Sequence, residues 1–291
     1  MRPTLRLLRF LLPSLLLLIA AAPAVAQPPV WVVRGPHATL VLFGSIHLLP
    51  PGLDWEPPRL KQALGEADEL WFEIPFDQAS SLAAFQEASR RGVQPGGHTL
   101  NEDLDPAGRL TLARAAQACG VSLDQLNHLR PWYADLLLSV ASIRLDGAES
   151  EGGVEQTLSA ANPTISRRAF EGINEQIGFF ADAPMTDQIA SLKETMKEID
   201  EGPGEYQKLV KAWMAGDTEA IRREAIEPLK TEAPGVYASL VVARNRRWVR
   251  QINQRLQGRG EAVMVVGVGH LIGPDSVPAL LRREGVRVEG P

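Results

Sequence analysis

The chain has 291 residues, five histidines, one cysteine and a formal net charge of −5. The acidic balance argues against a nucleic-acid partner or an anionic membrane surface. The lone cysteine, Cys119, excludes an internal disulfide, so a core of ordinary size has to hold the fold.

At the N-terminus Arg2, Arg6 and Arg9 precede an apolar run from Phe10 to Ala22, which closes in Ala24-Val25-Ala26. Positive charge, a short apolar centre and small residues where a signal peptidase reads make 1–26 a secretory signal peptide. A membrane anchor needs about 20 apolar residues; this run is shorter and Pro13 interrupts it. No later segment is long and apolar enough to cross a bilayer. The expectation is an exported protein, periplasmic or secreted, without a stable membrane span after cleavage. Its mature part, 27–291, would form one domain with a net charge of −8 once the three arginines are removed.

Val30 to Arg34 and Leu40 to Phe43 read as a hairpin closed by Gly35-Pro36. A helix over 58–67 and a strand from Glu69 to Ile74 follow. Strand, helix, strand at this spacing predicts a βαβ unit, with strands 40–43 and 69–74 parallel. From about residue 80 the apolar period becomes helical, in 107–118, 132–145, 188–199, 205–215 and 235–256. The chain then returns to a strand from Glu261 to Val266, a helix over 275–284 and a last strand at 286–288. The predicted fold is α/β: a central, mostly parallel sheet built from both chain ends, with a long helical insertion over about 80–257.

Two histidines share one setting. Leu40-Val41-Leu42-Phe43-Gly44-Ser45-Ile46-His47 and Met264-Val265-Val266-Gly267-Val268-Gly269-His270 each run apolar strand, glycine, two residues, histidine. A glycine there lets the chain turn and another group approach closely. Both histidines would project at the C-terminal edge of the sheet, where open α/β sheets bind ligands. Glu73 ends a third strand and should point the same way. A single histidine after a strand is ordinarily a loop residue; the repeat of the setting about 220 residues away singles this pair out.

His47, His270 and Glu73 form a donor set suited to Zn, Mn, Co or Fe(II), with an open position for water. Without a metal the same groups could be a general base and its orienter. Asn245 interrupts an apolar stripe of Val241, Trp248, Ile252 and Leu256, and Arg244 stands beside it. Asn245 could tie down a loop or reach the site; Arg244 could bind a substrate carboxylate or simply be solvated. Glu155, after Gly152-Gly153-Val154, is a weaker acidic candidate, and Gly44, Ser45 and Gly267 support the two histidine turns. His37, His98 and His128 lack such a setting. Gly-x-Ser-x-Gly and His-Glu-x-x-His are both absent from the sequence.

The two Gly-x-x-His turns, the second within Gly267-Val268-Gly269-His270-Leu271-Ile272-Gly273-Pro274-Asp275-Ser276-Val277, with Glu73 between them, resemble the TraB/GumN family, related to the Tiki metalloproteases. Arg130-Pro131-Trp132, Gly153-Val154-Glu155, Ala212-Trp213 with Gly216-Asp217, and Arg244-Asn245 with Trp248 are similar to further family segments. The resemblance spans about residues 30 to 289. The family's Gly-Leu-Glu-Thr segment is shortened here to Phe170-Glu171-Gly172-Ile173-Asn174-Glu175-Gln176, which leaves Glu171 and Glu175 as alternatives for its glutamate. The resemblance implies a fold like the erythromycin-esterase (EreA) and ChaN group. For the Tiki branch it implies divalent-metal-dependent peptide hydrolysis through the two histidines and the glutamate.

The leading expectation is therefore an exported metal-dependent, peptidase-like hydrolase acting on a peptide or small-molecule substrate. His47 and His270 would hold the metal or its water, Glu73 would be a further ligand or, if it is not one, the general base, and Asn245 and Arg244 would position substrate. A metal-free esterase-like hydrolase is one alternative. A binding protein that sequesters haem, iron or a signalling peptide is the other.

Overall fold

The computed structural model describes residues 27–149, 152–202 and 204–291, so the leader expected over 1–26 lies outside the described residues. Six strands form one sheet: β1 (Val30–Arg34), β2 (Ala38–Ser45), β3 (Glu69–Phe72), β4 (Ser166–Ala169), β5 (Gly260–Gly267) and β6 (Arg287–Glu289). Their order across the sheet is β4-β3-β5-β2-β1-β6. β2, β5, β3 and β4 pair in parallel, whereas β1 is antiparallel to both β2 and β6. The mostly parallel sheet built from both chain ends is thus present.

β5 occupies the centre because it is apolar on both faces. Val263, Met264 and Val265 are fully buried, as a parallel strand covered on two sides must be. β2 and β3 are parallel, as their spacing predicts, with the helix Pro58–Glu66 between them in sequence. They are not neighbours: β5, arriving from the far end of the chain, lies between them. The β1–β2 hairpin closes where Gly35 N–H donates to the Ala38 carbonyl at 2.9 Å.

The helical insertion needs a correction. It contains β4, whose sequence Ser-Arg-Arg-Ala alternates between exposed and half-buried positions. An edge strand with two arginines carries no apolar period, so sequence pattern does not reveal it. The predicted helix over 235–256 is also divided. A short helix Pro234–Tyr237 leads into a π-helical turn Ala238–Ala243, and Arg244–Leu256 follows as regular α-helix. Its stripe is as expected: Val241, Asn245, Trp248, Ile252 and Leu256 are all buried.

A second core lies away from the sheet, where Leu100, Leu112, Leu126, Leu138, Leu192 and Met196 pack together. Cys119 is buried in that cluster and free. Among the described residues, no helix is long and apolar enough to cross a membrane.

The register of the sheet sets up the site. Ser45 pairs with Gly267, Trp71 with Met264, and Ala169 with Phe72. The four parallel strands therefore end near one level. The residues that follow them, His47, His270, Glu73 and Glu171, all leave the same C-terminal rim.

Candidate active site at the sheet rim

Two glycines make room at the rim, each for a different neighbour. A Cβ on Gly44 would lie 2.8 Å from Val268 Cγ2 and 3.0 Å from Val268 Cα, so the two histidine turns pack directly on each other. A Cβ on Gly267 would stand 3.3 Å from Glu73 Oε1, 3.7 Å from His270 Cδ2 and 3.9 Å from His47 Nε2. Three groups distant in sequence thus converge within 4 Å of one point.

On one side of that point lies a buried charge cluster. Glu73 accepts from Arg244 Nη2 at 2.6 Å, from the Gly267 N–H at 2.7 Å and from Gln176 Nε2 at 3.1 Å. Burial disfavours its charged form, yet the Arg244 guanidinium, the His270 and His47 imidazoles and the Gly267 N–H together outweigh this and hold the carboxyl well below the usual range. Arg244 also donates from Nε to the two Glu171 oxygens at 3.1 and 3.0 Å, and from Nη1 to His270 Nε2 at 3.1 Å and to the Leu240 carbonyl at 3.4 Å, while its Nη2 forms an ion pair with Glu171 at 2.9 Å. Four of the five N–H groups of the guanidinium thus have protein acceptors, and the Glu171 carboxylate stands beside the fifth.

His270 is held at both ring nitrogens. Nδ1 lies 2.7 Å from Asn245 Oδ1, and Asn245 Nδ2 donates to the carbonyls of Asp275 at 2.8 Å and His270 at 3.4 Å. Because that amide nitrogen faces carbonyls, Oδ1 is the acceptor, and Nδ1 of His270 carries the proton. Nε2 is left with its lone pair toward Arg244. Burial and the guanidinium push the ring's pKa down to about 3 against the pull of Glu73, so His270 is neutral. Trp248 packs on the ring at 4.4 Å between centroids.

On the other side stands His47. Its Nδ1 is 2.9 Å from Glu155 Oε1, which also accepts from Ser45 Oγ at 2.5 Å. The helix Val154–Ala161 is docked there by the Val154 N–H on the Ile46 carbonyl at 3.3 Å, which brings Glu155 in its first turn onto the imidazole. The Glu155 carboxylate raises the His47 pKa to about 9, against the opposing effect of desolvation. The side chain is 63 % exposed, so water reaches the ring and screens part of this field. Nε2, the free nitrogen, faces the space above Gly267.

The profile of the TraB/PrgY/gumN family matches residues 29–290. The chain belongs to this family. It is also similar to an uncharacterized protein of Treponema pallidum (strain Nichols), at 18% identity over 265 residues, covering 87% of this chain and 80% of that protein. No solved structure matches.

The segments that resemble this family surround the rim. Trp213 donates from Nε1 to the Gly44 carbonyl at 2.8 Å and fixes the first histidine turn from below. Trp132 stacks on Phe180, on the helix Ile173–Ala181 that carries Gln176. Of the two glutamates in the shortened segment, Glu171 is buried and bonded to Arg244, whereas Glu175 is exposed and pairs with Arg247 at 3.3 Å.

The sequence-predicted residues of this TraB/PrgY/gumN member thus fall into two groups facing each other: Glu73, Arg244, Asn245 and His270, and opposite them Ser45, His47 and Glu155. Asn245 is completely buried and Arg244 is nearly so. Both act on the site through its own side chains. Glu155 ranks higher than its sequence setting suggested, because it holds His47. Gln176 and Arg247 were not singled out from the sequence; an exposed-looking glutamine and arginine carry no period that marks them.

In this arrangement Arg244 takes up donor atoms of two of the three residues expected at a metal, Glu73 and His270. Arg244 Nη1 occupies the lone pair of His270 Nε2, and Arg244 Nη2 binds Glu73. Among the described residues no group of three or more His, Cys, Asp or Glu is arranged to hold a metal ion. A guanidinium provides the positive charge between the carboxylate and the imidazole.

Proposed function

We propose that this TraB/PrgY/gumN protein is an exported hydrolase that cleaves an ester or peptide bond, with His47 as its acid–base group. The observation that carries the reading is the division of labour on one ring: Nδ1 is pinned by Glu155, and Nε2 is free over the Gly267 point. A carboxylate behind an imidazole orients it and stabilises the imidazolium that forms during proton transfer.

In the step we propose, neutral His47 Nε2 removes a proton from water, and the water oxygen attacks the substrate carbonyl carbon. The carbonyl electron pair moves to oxygen. It returns as the bond to the leaving alcohol or amine breaks, and His47 Nε2–H protonates that leaving group. Water is added across the bond and His47 returns to its neutral form. Gly267 leaves space for the carbonyl where any side chain would intrude. Export follows from our reading of residues 1–26.

A metal-assisted version is the second reading, because His47 Nε2 and Glu73 Oε1 approach the same point. A Mn, Co, Zn or Fe(II) ion there would share Glu73 with Arg244.

One experiment separates these. Purified protein is assayed on p-nitrophenyl acetate and on a fluorogenic peptide library, as wild type and as His47→Gln, with and without EDTA and with Mn²⁺ or Co²⁺ restored. Turnover that survives EDTA and falls 10²-fold or more in His47→Gln is the expected result. Turnover lost to EDTA and restored by metal favours the second reading. Activity independent of His47, or none on either substrate class, overturns the proposal.

A further inference from the structure

We infer that Glu171 is a positioning residue: it clamps Arg244 so that the opposite edge of the guanidinium faces Glu73 and His270. The inference rests on reading this rim as the working site.

The backbone places Glu171 for this. It follows β4, and its N–H donates to the Glu73 carbonyl at 2.9 Å, which extends the β3–β4 pairing beyond both strands. Two buried glutamates therefore leave adjacent strands side by side. Each would be costly if unpaired. One arginine lies between them.

The two carboxylates use different edges of that arginine. Glu171 takes Nε with both of its oxygens, at 3.1 and 3.0 Å, and pairs with the charge on Nη2 at 2.9 Å, a charged contact on one edge that fixes the guanidinium's direction. Glu73 and His270 take an Nη2 hydrogen and Nη1. Glu171 does not itself approach His47 or the Gly267 point; its side chain is 1 % exposed. Its remaining donors are Arg247 Nη2 at 3.0 Å and Trp248 Nε1 at 2.9 Å. Residues 244, 247 and 248 lie on one face of a single helix, at steps of three and four. Arg244 is thus fixed from a strand end, independently of the groups it serves. Trp248 lies beneath it, 4.7 Å from the guanidinium carbon to the ring centroid.

A purely structural staple between helix and sheet would give the same contacts, so the test reads Arg244 and His270 themselves. In Glu171→Gln the amide oxygen still accepts the Trp248 indole, but the charge facing Nε and Nη2 of Arg244 is lost. Nitrogen-15 NMR of the full-length protein, with selectively labelled arginine and histidine, follows the Arg244 Nε–H and the two ring nitrogens of His270.

The wild type is expected to show a slowly exchanging Arg244 Nε–H and a His270 ring protonated at Nδ1, with Nε2 shifted by its hydrogen bond. In Glu171→Gln the Nε–H exchange should accelerate at least tenfold, and the His270 Nε2 shift should move toward that of an unbonded imidazole. Turnover on the substrate hydrolysed by the wild type should fall tenfold or more in kcat, with KM changed less than twofold. Glu171→Asp, which keeps the charge but shortens the reach, should show the same displacement in smaller degree, and it serves if Glu171→Gln does not fold. Arg244 and His270 signals unchanged in either variant would overturn the inference. The NMR result stands whether or not the wild type hydrolyses anything, so failure of the hydrolase reading and failure of the clamp are separate outcomes.

Discussion

Asn245 Oδ1 and His270 Nδ1 stand 2.7 Å apart, joining residues 25 positions distant, one on a helix and one on the loop after β5. The amide nitrogen of Asn245 is committed to the Asp275 carbonyl at 2.8 Å. A loop carbonyl thus determines which way an amide faces, and the amide determines which nitrogen of the histidine bears the proton.

Replacing Asn245 by Ala leaves the buried His270 Nδ1–H and the part-buried Asp275 carbonyl without their partner. We expect a loss of about 2–6 kcal/mol, from roughly 1–3 kcal/mol for each of the two unsatisfied groups. Chemical denaturation of the variant against wild type measures it. A loss under about 0.5 kcal/mol would mean that water replaces the amide.

The pH dependence of turnover should report His47. Its conjugate acid persists to about pH 9 in the folded protein, so the base form, and with it kcat/KM, should rise up to that region. Glu155→Gln removes the main cause of the elevation and should move the rising limb down toward about 6.5, the ordinary imidazole value. A limb that stays in place in Glu155→Gln would assign it to another group.

Stability should fall in acid. His270 titrates near 3 when folded and at its ordinary value of 6.5 when unfolded. Between those values the unfolded chain binds the extra proton, so stability decreases as pH drops through that window, by up to about 1.4 kcal/mol per pH unit. Glu73, whose folded pKa is depressed, adds to the loss as pH falls below its ordinary 4.5. His47 has the opposite sign: its contribution is complete below 6.5 and is lost as pH rises through about 9. Urea midpoints measured from pH 4 to 10 test this, and His270→Gln should flatten the slope between pH 6 and 4.

The two rim glycines should separate stability from activity. Gly44→Ala drives a methyl into Val268 at 2.8 Å, an overpacking expected to cost about 1–3 kcal/mol. Gly267 has φ −49°, which alanine accepts, and its nearest contact would be Glu73 Oε1 at 3.3 Å. Gly267→Ala should therefore fold with a nearly unchanged Tm while losing turnover. Thermal melts and initial rates on the two variants give the comparison; full activity in Gly267→Ala would remove the Gly267 point from the site.

The apolar runs of β2 and β5 and the paired Gly-x-x-His turns were legible in the sequence. So was the stripe from Val241 to Leu256. Periodicity reports local burial, and these elements are buried along most of their length. β4 was not legible, because an edge strand reading Ser-Arg-Arg-Ala has no apolar period. The position of β5 between β2 and β3 was hidden as well, since strand order depends on which distant segment covers both faces.

The sequence by itself determined that two histidines and a glutamate would reach one rim of an α/β sheet, because strand ends and glycines are local facts. Only the tertiary structure decided their states. It gave His47 to Glu155 and His270 to Asn245, and it set Arg244 between Glu73 and Glu171. Those choices depend on fields and hydrogen bonds between residues 25 to 171 positions apart. Such forces act over a few ångströms in space, and separation along the chain does not encode them.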